Sequence, residues 1–307
     1  AGILRFAVPE VCAAALREGL TLCSGPLLLS LFPFLVVSRL LIQCPESDLL
    51  ALPFRLAAWG IGIRTPCAAR VLCIGFLGGF APAASAAAQA VRTGQLTAEE
   101  ADALLPACIC SGPSFVVLTV GQSLLGSAEL GVLLFASQIT ANYLTAALLN
   151  RFAGVRSVKL GSAAPASPAP PRLDEILADA AITYCKLCGF ILFFRMLAAG
   201  AGALLPADAG TLCSILLEVC SGCDLASRTG RWGSLLCCAA LSVQGLSVLL
   251  QVRTICPPEM TLRPLYRARM LHLPLSLALF YLLLPGGEAD VFSTLPARVL
   301  LMRRVPP

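Results

Sequence analysis

The chain contains 307 residues, of which 58% are hydrophobic and only 13% charged, and its formal net charge at pH 7 is +5. A soluble protein has about 25% charged residues, so this chain has too little charge to cover the surface of a soluble globule of its size. The composition also excludes a disordered chain, a collagen-like chain and a nucleic-acid binder. We therefore predict an all-α polytopic membrane protein that has the lipid bilayer as a partner.

Uninterrupted apolar stretches predict several membrane-spanning helices, because a spanning helix needs about 20 mostly apolar residues. Five stretches have this character: 20–42, 130–149, 187–205, 232–252 and 271–284, the last of which can be extended back to residue 266.

Other apolar stretches are interrupted, and the interruptions predict a different structure. Gly78 and Gly79 lie within 71–91, Ser111-Gly112-Pro113 breaks 103–128, and Glu218 precedes Cys220-Ser221-Gly222 in the short stretch 209–223. Interrupted segments at corresponding places in two halves are typical of re-entrant hairpins and broken transmembrane helices. We predict two hairpins and two broken spans. The hairpins lie near 67–91 and 209–230, and the broken spans near 103–125 and 232–252.

A Pro-rich segment, 161–171, divides the chain into halves of similar length and is typical of a flexible linker. Each half then has the order span, hairpin, broken span, span. We predict a first repeat at 1–152, a cytoplasmic linker at 153–172, a second, inverted repeat at 173–285 and a C-terminal tail at 286–307.

The distribution of basic residues supports this topology. Twelve basic residues fall in the segments that the topology places on one face, and seven fall on the other face, three of them in the tail. Excess Lys and Arg marks the cytoplasmic side. The cytoplasmic segments are then 43–70, 92–102, 151–173 and 253–269, and the two hairpins open to opposite sides.

A local signal marks one helix start within this scheme. Thr97 and Glu100 have the spacing of a capping box, in which each side chain binds the backbone N–H of the other residue. We predict a tight loop from Arg92 to Thr97, followed by a helix.

Several motifs occur in the order found in one family of membrane proteins. They are the segment 75–152, which contains GFLGGFAPAASAAAQAVRTGQLTAEEADALLPACICSGPSF, together with Gly19-Leu20, Ser30-Leu31-Phe32-Pro33-Phe34, Glu218-Val219-Cys220-Ser221-Gly222, Gly245-Leu246-Ser247-Val248 with Gln251, and Arg263-Pro264 with Ala268-Arg269 and His272. This ordered set, over roughly residues 19–285, resembles the YlbJ-type sporulation integral membrane proteins of the nucleoside-recognition (Gate) superfamily.

The resemblance implies a fold and a function. The superfamily is similar to concentrative nucleoside transporters, whose core has two inverted repeats with hairpins and unwound helices around a midplane site. The sporulation branch implies a permease in a bacterial membrane that moves dipicolinate across the outer forespore membrane. Transport of a nucleoside or another small solute is one alternative, and a non-transporting scaffold of a sporulation complex is another. A homo-oligomer is compatible with all of them.

The candidate site consists of residues at the predicted interruptions. The N-terminal ends of half-helices carry partial positive charge and favour an anion, and Ser and Gln side chains add donors and acceptors. The candidate substrate-binding residues are Gly79, Ser111, Gly112, Glu218, Ser221, Gly222, Gln244 and Ser247.

Glu218 is the most specific candidate, because it is a carboxylate in an otherwise uncharged apolar segment. Ionisable residues within a membrane are costly and by default suggest function. Glu218 is therefore the candidate for substrate contact or for coupling to Na⁺ or H⁺. The alternatives are a structural acceptor for hairpin N–H groups and a partner for a basic side chain such as Arg195.

No pattern in the sequence predicts an enzyme, and we predict no catalytic residue, metal site or cofactor. Two CxxC pairs, Cys185 with Cys188 and Cys220 with Cys223, have a spacing found in metal and redox sites. The same spacing places small residues on one helix face, which is the interpretation we favour.

Overall fold

The computed structural model describes residues 8–43, 49–154 and 172–284. All regular secondary structure in these ranges is helical. The predicted C-terminal tail and most of the predicted linker lie outside the described residues.

Eight helices are described in the first half of the chain. They are α1 (Pro9–Ser24), α2 (Pro26–Gln43), α3 (Leu52–Gly60), α4 (Pro66–Gly78), α5 (Phe80–Arg92), α6 (Ala98–Cys108), α7 (Ser114–Leu124, wound as a π-helix) and α8 (Ala128–Ala153).

Six helices are described in the second half, with a short 3₁₀ turn at Gly230–Trp232 before α12. They are α9 (Leu173–Leu204), α10 (Ala207–Leu217), α11 (Val219–Ser227), α12 (Gly233–Val243), α13 (Gly245–Ile255) and α14 (Arg263–Leu283).

Four helical segments are long and apolar enough to cross a membrane, which agrees with the predicted class. These are Pro9–Leu29, Ala128–Ala153, Leu173–Leu204 and Gly230–Ile255. The predicted last span, α14, is not among them, because Arg263, Arg267 and Arg269 make its first two turns less apolar.

Two predicted spans have different bounds in the structure. The stretch 20–42 is not one helix, because α1 ends at Ser24 and α2 begins at Pro26. Proline has no N–H to continue a helical ladder, and the residue before it avoids the α conformation. The stretch 187–205 forms only the second part of α9, which begins at Leu173 with Asp174 and Glu175 in its first turn. Acidic side chains stabilise a helix at that end.

The predicted helix start at Thr97 is confirmed. The Glu100 N–H donates to the Thr97 hydroxyl at 3.1 Å, and the Thr97 N–H donates to the Glu100 carboxylate at 3.1 Å. This reciprocal pair fixes where α6 begins.

Single residues separate two pairs of consecutive helices that pack against each other. Helix α4 packs on α5 across Gly79, and α10 packs on α11 across Glu218. In contrast, α6 and α7, like α12 and α13, follow one another without comparable packing. Both halves therefore contain a packed helix pair followed by an interrupted helix.

The two halves interlock through buried polar contacts. The Asp102 carboxylate on α6 accepts hydrogen bonds from the Thr261 N–H at 2.8 Å and from the Leu262 N–H at 3.1 Å, both in the loop before α14. Gln138 on α8 donates to the Ser242 hydroxyl on α12 at 3.0 Å. Burial makes each unmade hydrogen bond costly, so these contacts fix one half against the other.

Candidate functional site

The interruption between α4 and α5 lies against the interruption between α6 and α7. Gly79 has φ 81° and ψ −164°, a conformation that is essentially restricted to glycine. A Cβ atom at Gly79 would lie only 2.6 Å from the backbone nitrogen of Gly112. Glycine at residue 79 therefore permits direct backbone contact between the first helix pair and the first interrupted helix.

The corresponding contact in the second half lies between Gly245 and the segment Leu217–Glu218. Gly245 has φ 68°, and a Cβ atom there would lie 3.0 Å from the backbone nitrogen of Glu218. The second helix pair thus contacts the second interrupted helix in the same way as the first pair contacts the first.

Glu218 is buried and caps helix α11. Its side chain accepts hydrogen bonds from the Cys220 N–H at 2.8 Å and from the Ser221 N–H at 2.7 Å, and the residue is 2% exposed. The first N–H groups of a helix have no partner within the helix, so the carboxylate satisfies two of them. The structure thus shows Glu218 as an acceptor for backbone N–H groups of the second helix pair.

The two interrupted helices also contact each other. Gln244 ends α12 in a left-handed conformation with φ 65°. Its side-chain N–H group donates to the Leu241 carbonyl at 2.9 Å and to the Ser111 hydroxyl at 3.4 Å. All four interruptions are thereby joined, through the contacts of Gly79 with Gly112, Ser111 with Gln244, and Gly245 with Glu218.

A cavity of about 90 Å³ is lined by residues of three of the interruptions, and we call it the central cavity. This volume has room for several water molecules but is below the roughly 300–1,000 Å³ usual for ligand pockets, so a larger solute can bind only if the cavity widens. Its walls are mainly apolar side chains from α2, α4, α5, α9 and α13, and mostly apolar walls with a few polar groups are usual for solute sites. The lining side chains that can form hydrogen bonds are Ser111, Ser114, Glu218, Cys220 and Gln251.

The wall of the central cavity is electrostatically uneven. Glu218 is the only Asp, Glu, Lys or Arg side chain among the described residues that line it. Gly112, Ser114 and Phe115 line another part of the wall at the start of α7. The first N–H groups of a helix carry partial positive charge, so this part of the wall favours an anionic or acceptor group.

Gln251 brings a free acceptor to the cavity wall. Its side-chain N–H group donates to the Ser247 hydroxyl at 2.8 Å, and the residue is 2% exposed. The Gln251 side-chain oxygen accepts no hydrogen bond from the described residues. A buried acceptor without a partner is rare in proteins, so this oxygen is an unexplained polar group beside the central cavity.

The predicted site residues therefore have different positions. Ser111, Gly112 and Glu218 line the central cavity, whereas Gly79, Gln244 and Ser247 lie directly behind its wall. Two others lie elsewhere. Ser221 lines a second cavity of about 560 Å³, and Gly222 packs closely on Ile215 of α10.

Arg195 does not pair with Glu218. Its guanidinium donates to the Glu18 carboxylate on α1 at 2.9 Å, beside the second cavity. Among the residues that the structure describes, Glu218 forms no ion pair. Of the alternatives weighed for Glu218, the acceptor for backbone N–H groups agrees with the structure. Arg195 forms its ion pair with Glu18 instead, although Glu218 lies close enough to stabilise its positive charge.

A polar cluster between α8, α12 and α14 was not among the predicted site residues. Its members are the buried side chains of Gln138, Asn142, Ser242, Arg269, His272 and Ser276. His272 lies within hydrogen-bond distance of the Gln138 carbonyl, at 3.2 Å. The helical spacing of the polar residues on α14, at 269, 272 and 276, is a signal that could have indicated this cluster.

The cysteines of the two CxxC pairs are free thiols in the structure. Within the described ranges, no three His, Cys, Asp or Glu side chains are grouped so that they could bind a metal ion.

Comparison of the chain with protein-family models, curated proteins and solved structures gives no match. The function is therefore inferred from the geometry of the central cavity.

Proposed function

We propose that the protein is a membrane transporter that moves a small polar or anionic solute through the central cavity. The observation that carries this proposal is that three interruptions of helical structure line one cavity, and the fourth, at Gln244–Gly245, contacts two of them. Non-helical backbone within a membrane is tolerated where it is buried in protein or lines a solute pathway. In transporters such interruptions supply the binding groups at mid-depth.

The proposed architecture is an inverted repeat in a multi-pass membrane protein. The pair α4–α5 and the pair α10–α11 would be re-entrant hairpins that open to opposite sides. The shared order of elements in the two halves supports this, as do the matched contacts of Gly79 with Gly112 and of Gly245 with Glu218. The excess of basic residues favours the cytoplasm for the segments 43–70, 92–102, 151–173 and 253–269.

Dipicolinate, moved across the outer forespore membrane, is the first solute that we propose. It is a flat aromatic ring with two carboxylates, and Phe80 and Phe115 supply apolar walls beside the start of α7. The partial positive charge of that helix end suits one carboxylate. Glu218 would repel a dianion, so we propose that Na⁺ or H⁺ enters with the solute and balances the charge.

A nucleoside is the second candidate, and the charge of the cavity favours it. Among the described residues no Lys or Arg side chain lines the central cavity, so an uncharged solute needs no counter-ion there. Its hydroxyl groups can donate to the Gln251 side-chain oxygen and to Ser111.

Uptake into proteoliposomes tests these proposals. The purified protein is reconstituted and given labelled dipicolinate or labelled uridine, with or without a Na⁺ or pH gradient. We expect saturable uptake of one solute that is stimulated by one gradient. Glu218→Gln should abolish the ion stimulation, whereas Glu129→Gln, at an exposed position in the first turn of α8, should retain it.

Two outcomes would contradict the proposal. If neither solute is bound or taken up by the folded protein, transport of these solutes is wrong and a scaffold in a protein complex is favoured. If uptake is equal in Glu218→Gln and wild type under every gradient, Glu218 is not the coupling site.

A further inference from the structure

Arg269 is a buried cation with no acidic partner among the described residues. It lies in the second turn of α14 and is 7% exposed. None of the described ion pairs includes it. A buried charge is costly unless hydrogen bonds compensate it, so the groups around Arg269 indicate why it is there.

The guanidinium of Arg269 binds the backbone at both interrupted helices. It donates to the Ile109 carbonyl at 2.6 Å and to the Ser242 carbonyl at 3.3 Å. It also lies 3.4 Å from the side-chain oxygen of Asn142 on α8. The side chain thus joins α14 to α6, α12 and α8.

Both carbonyls lie beside an interruption: Ile109 is the residue that ends α6, and Ser242 lies in the last turn of α12, two residues before Gln244 ends it. Ile109 lies three residues before Gly112, and Ser242 lies three residues before Gly245. Each carbonyl lies at the C-terminal end of a half-helix, where carbonyl groups lack partners within the helix and carry partial negative charge. The planar guanidinium presents several donors in a fixed fork, which suits two acceptors that converge from different helices.

We infer that Arg269 is a positioning residue that holds the two interruptions in register by serving as the common counter-charge for the C-terminal ends of α6 and α12. Arg269 does not line the central cavity. It acts through the segments that follow Ile109 and Ser242, and these carry Ser111 and Gln244. The inference concerns the fold and stands apart from the proposed transport. Only its kinetic consequence depends on that proposal.

Hydrogen–deuterium exchange of the purified full-length protein in detergent tests the inference. Peptides that cover 105–115 and 238–247 report on the two interruptions. We expect Arg269→Gln to accelerate exchange in both segments together by about tenfold, because hydrogen bonds to a charged group are stronger than ordinary ones. Arg267→Gln, at an exposed arginine on the same helix, is the matched control and should exchange like wild type.

Arg269→Lys separates charge from geometry and provides a test if Arg269→Gln does not fold. Lysine keeps the positive charge but lacks the planar fork, so we expect faster exchange in at least one segment and intermediate protection in the other. Faster exchange in only one segment of Arg269→Gln, a uniform increase over all helices, or wild-type protection in Arg269→Lys would overturn the inference.

A second test measures uptake kinetics and rests on the proposed function. Because Arg269 does not contact the cavity, Arg269→Lys should reduce the maximal uptake rate several-fold and leave KM unchanged. A change in KM alone would contradict a positioning role. If the wild-type protein transports neither test solute, the proposed function fails, and the exchange measurement still decides the role of Arg269.

Discussion

The two packed helix pairs turn beside the central cavity at chemically different residues. The first turns at Gly79, where glycine adopts a backbone conformation that other residues avoid and no side chain caps the following helix. The second turns at Glu218, which has an ordinary extended conformation and whose carboxylate caps α11. Matching positions in the two halves thus use backbone freedom in one case and a buried charge in the other. Similar geometry therefore need not make the two sides of the cavity electrostatically equal.

Gly79→Ala should have the largest effect on stability. The added methyl group would meet the backbone of Gly112 at 2.6 Å, in a conformation that favours glycine alone. We expect the free energy of unfolding to fall by about 3 kcal/mol or more, as measured by thermal or chemical unfolding in detergent. Gly154→Ala is the control, because Gly154 also has a positive φ, 63°, but open space around it. Equal losses for the two variants would show that close backbone contact at Gly79 is unimportant.

Glu218→Gln should have the next largest effect. Glutamine keeps one acceptor oxygen, but its amide N–H₂ group faces the second N–H donor of α11. We expect a loss of about 2 kcal/mol in the free energy of unfolding, because a hydrogen bond to a buried charged group is replaced by an unfavourable contact. Glu129→Gln should change stability by less than about 0.5 kcal/mol, since its side chain is exposed. If Glu218→Gln also lowered the free energy of unfolding by less than about 0.5 kcal/mol, the carboxylate would not stabilise the protein by capping α11.

Substitution of Gln244 should have the smallest effect on the free energy of unfolding. Two variants at this position separate the cost of backbone strain from the contribution of the hydrogen bonds. Gln244→Gly removes the bonds to Leu241 and Ser111 but relieves the left-handed conformation, so the net change should lie within about 1 kcal/mol of zero. Gln244→Ala loses the same bonds and keeps the strain, so it should be less stable than Gln244→Gly by about 1 kcal/mol. The opposite order would mean that the φ of 65° imposes no cost on a side chain at this position.

Part of the fold could be predicted because single residues carry strong local signals. Gly79 and the pair Gly112-Pro113 interrupt apolar stretches, and Thr97 with Glu100 has the spacing of a helix start. These signals depend on backbone conformation or on contacts within one turn, so they are visible in the sequence alone. The break at Gly25–Pro26 carries a comparable signal, although the apolar stretch around it predicts one continuous helix.

The candidate site was predictable only in part, because its contacts cross between distant segments. Ser111 and Glu218 could be selected as polar residues at interruptions, and both line the central cavity. Arg269 could not be connected to α6 and α12, since its partners are the carbonyls of Ile109 and Ser242. Every residue has a carbonyl group, so the sequence does not show which carbonyls a buried arginine binds.

The contact of Asp102 with Thr261 and Leu262 has a consequence for biosynthesis. Asp102 is separated from these partners by about half the chain, so it is synthesised long before the ribosome has made the segment that satisfies it. Gln138 is likewise synthesised before Ser242, to whose hydroxyl it donates. The first half therefore reaches its final structure only after the second half has been translated, and a chain truncated at the Pro-rich segment would leave Asp102 and Gln138 without these partners.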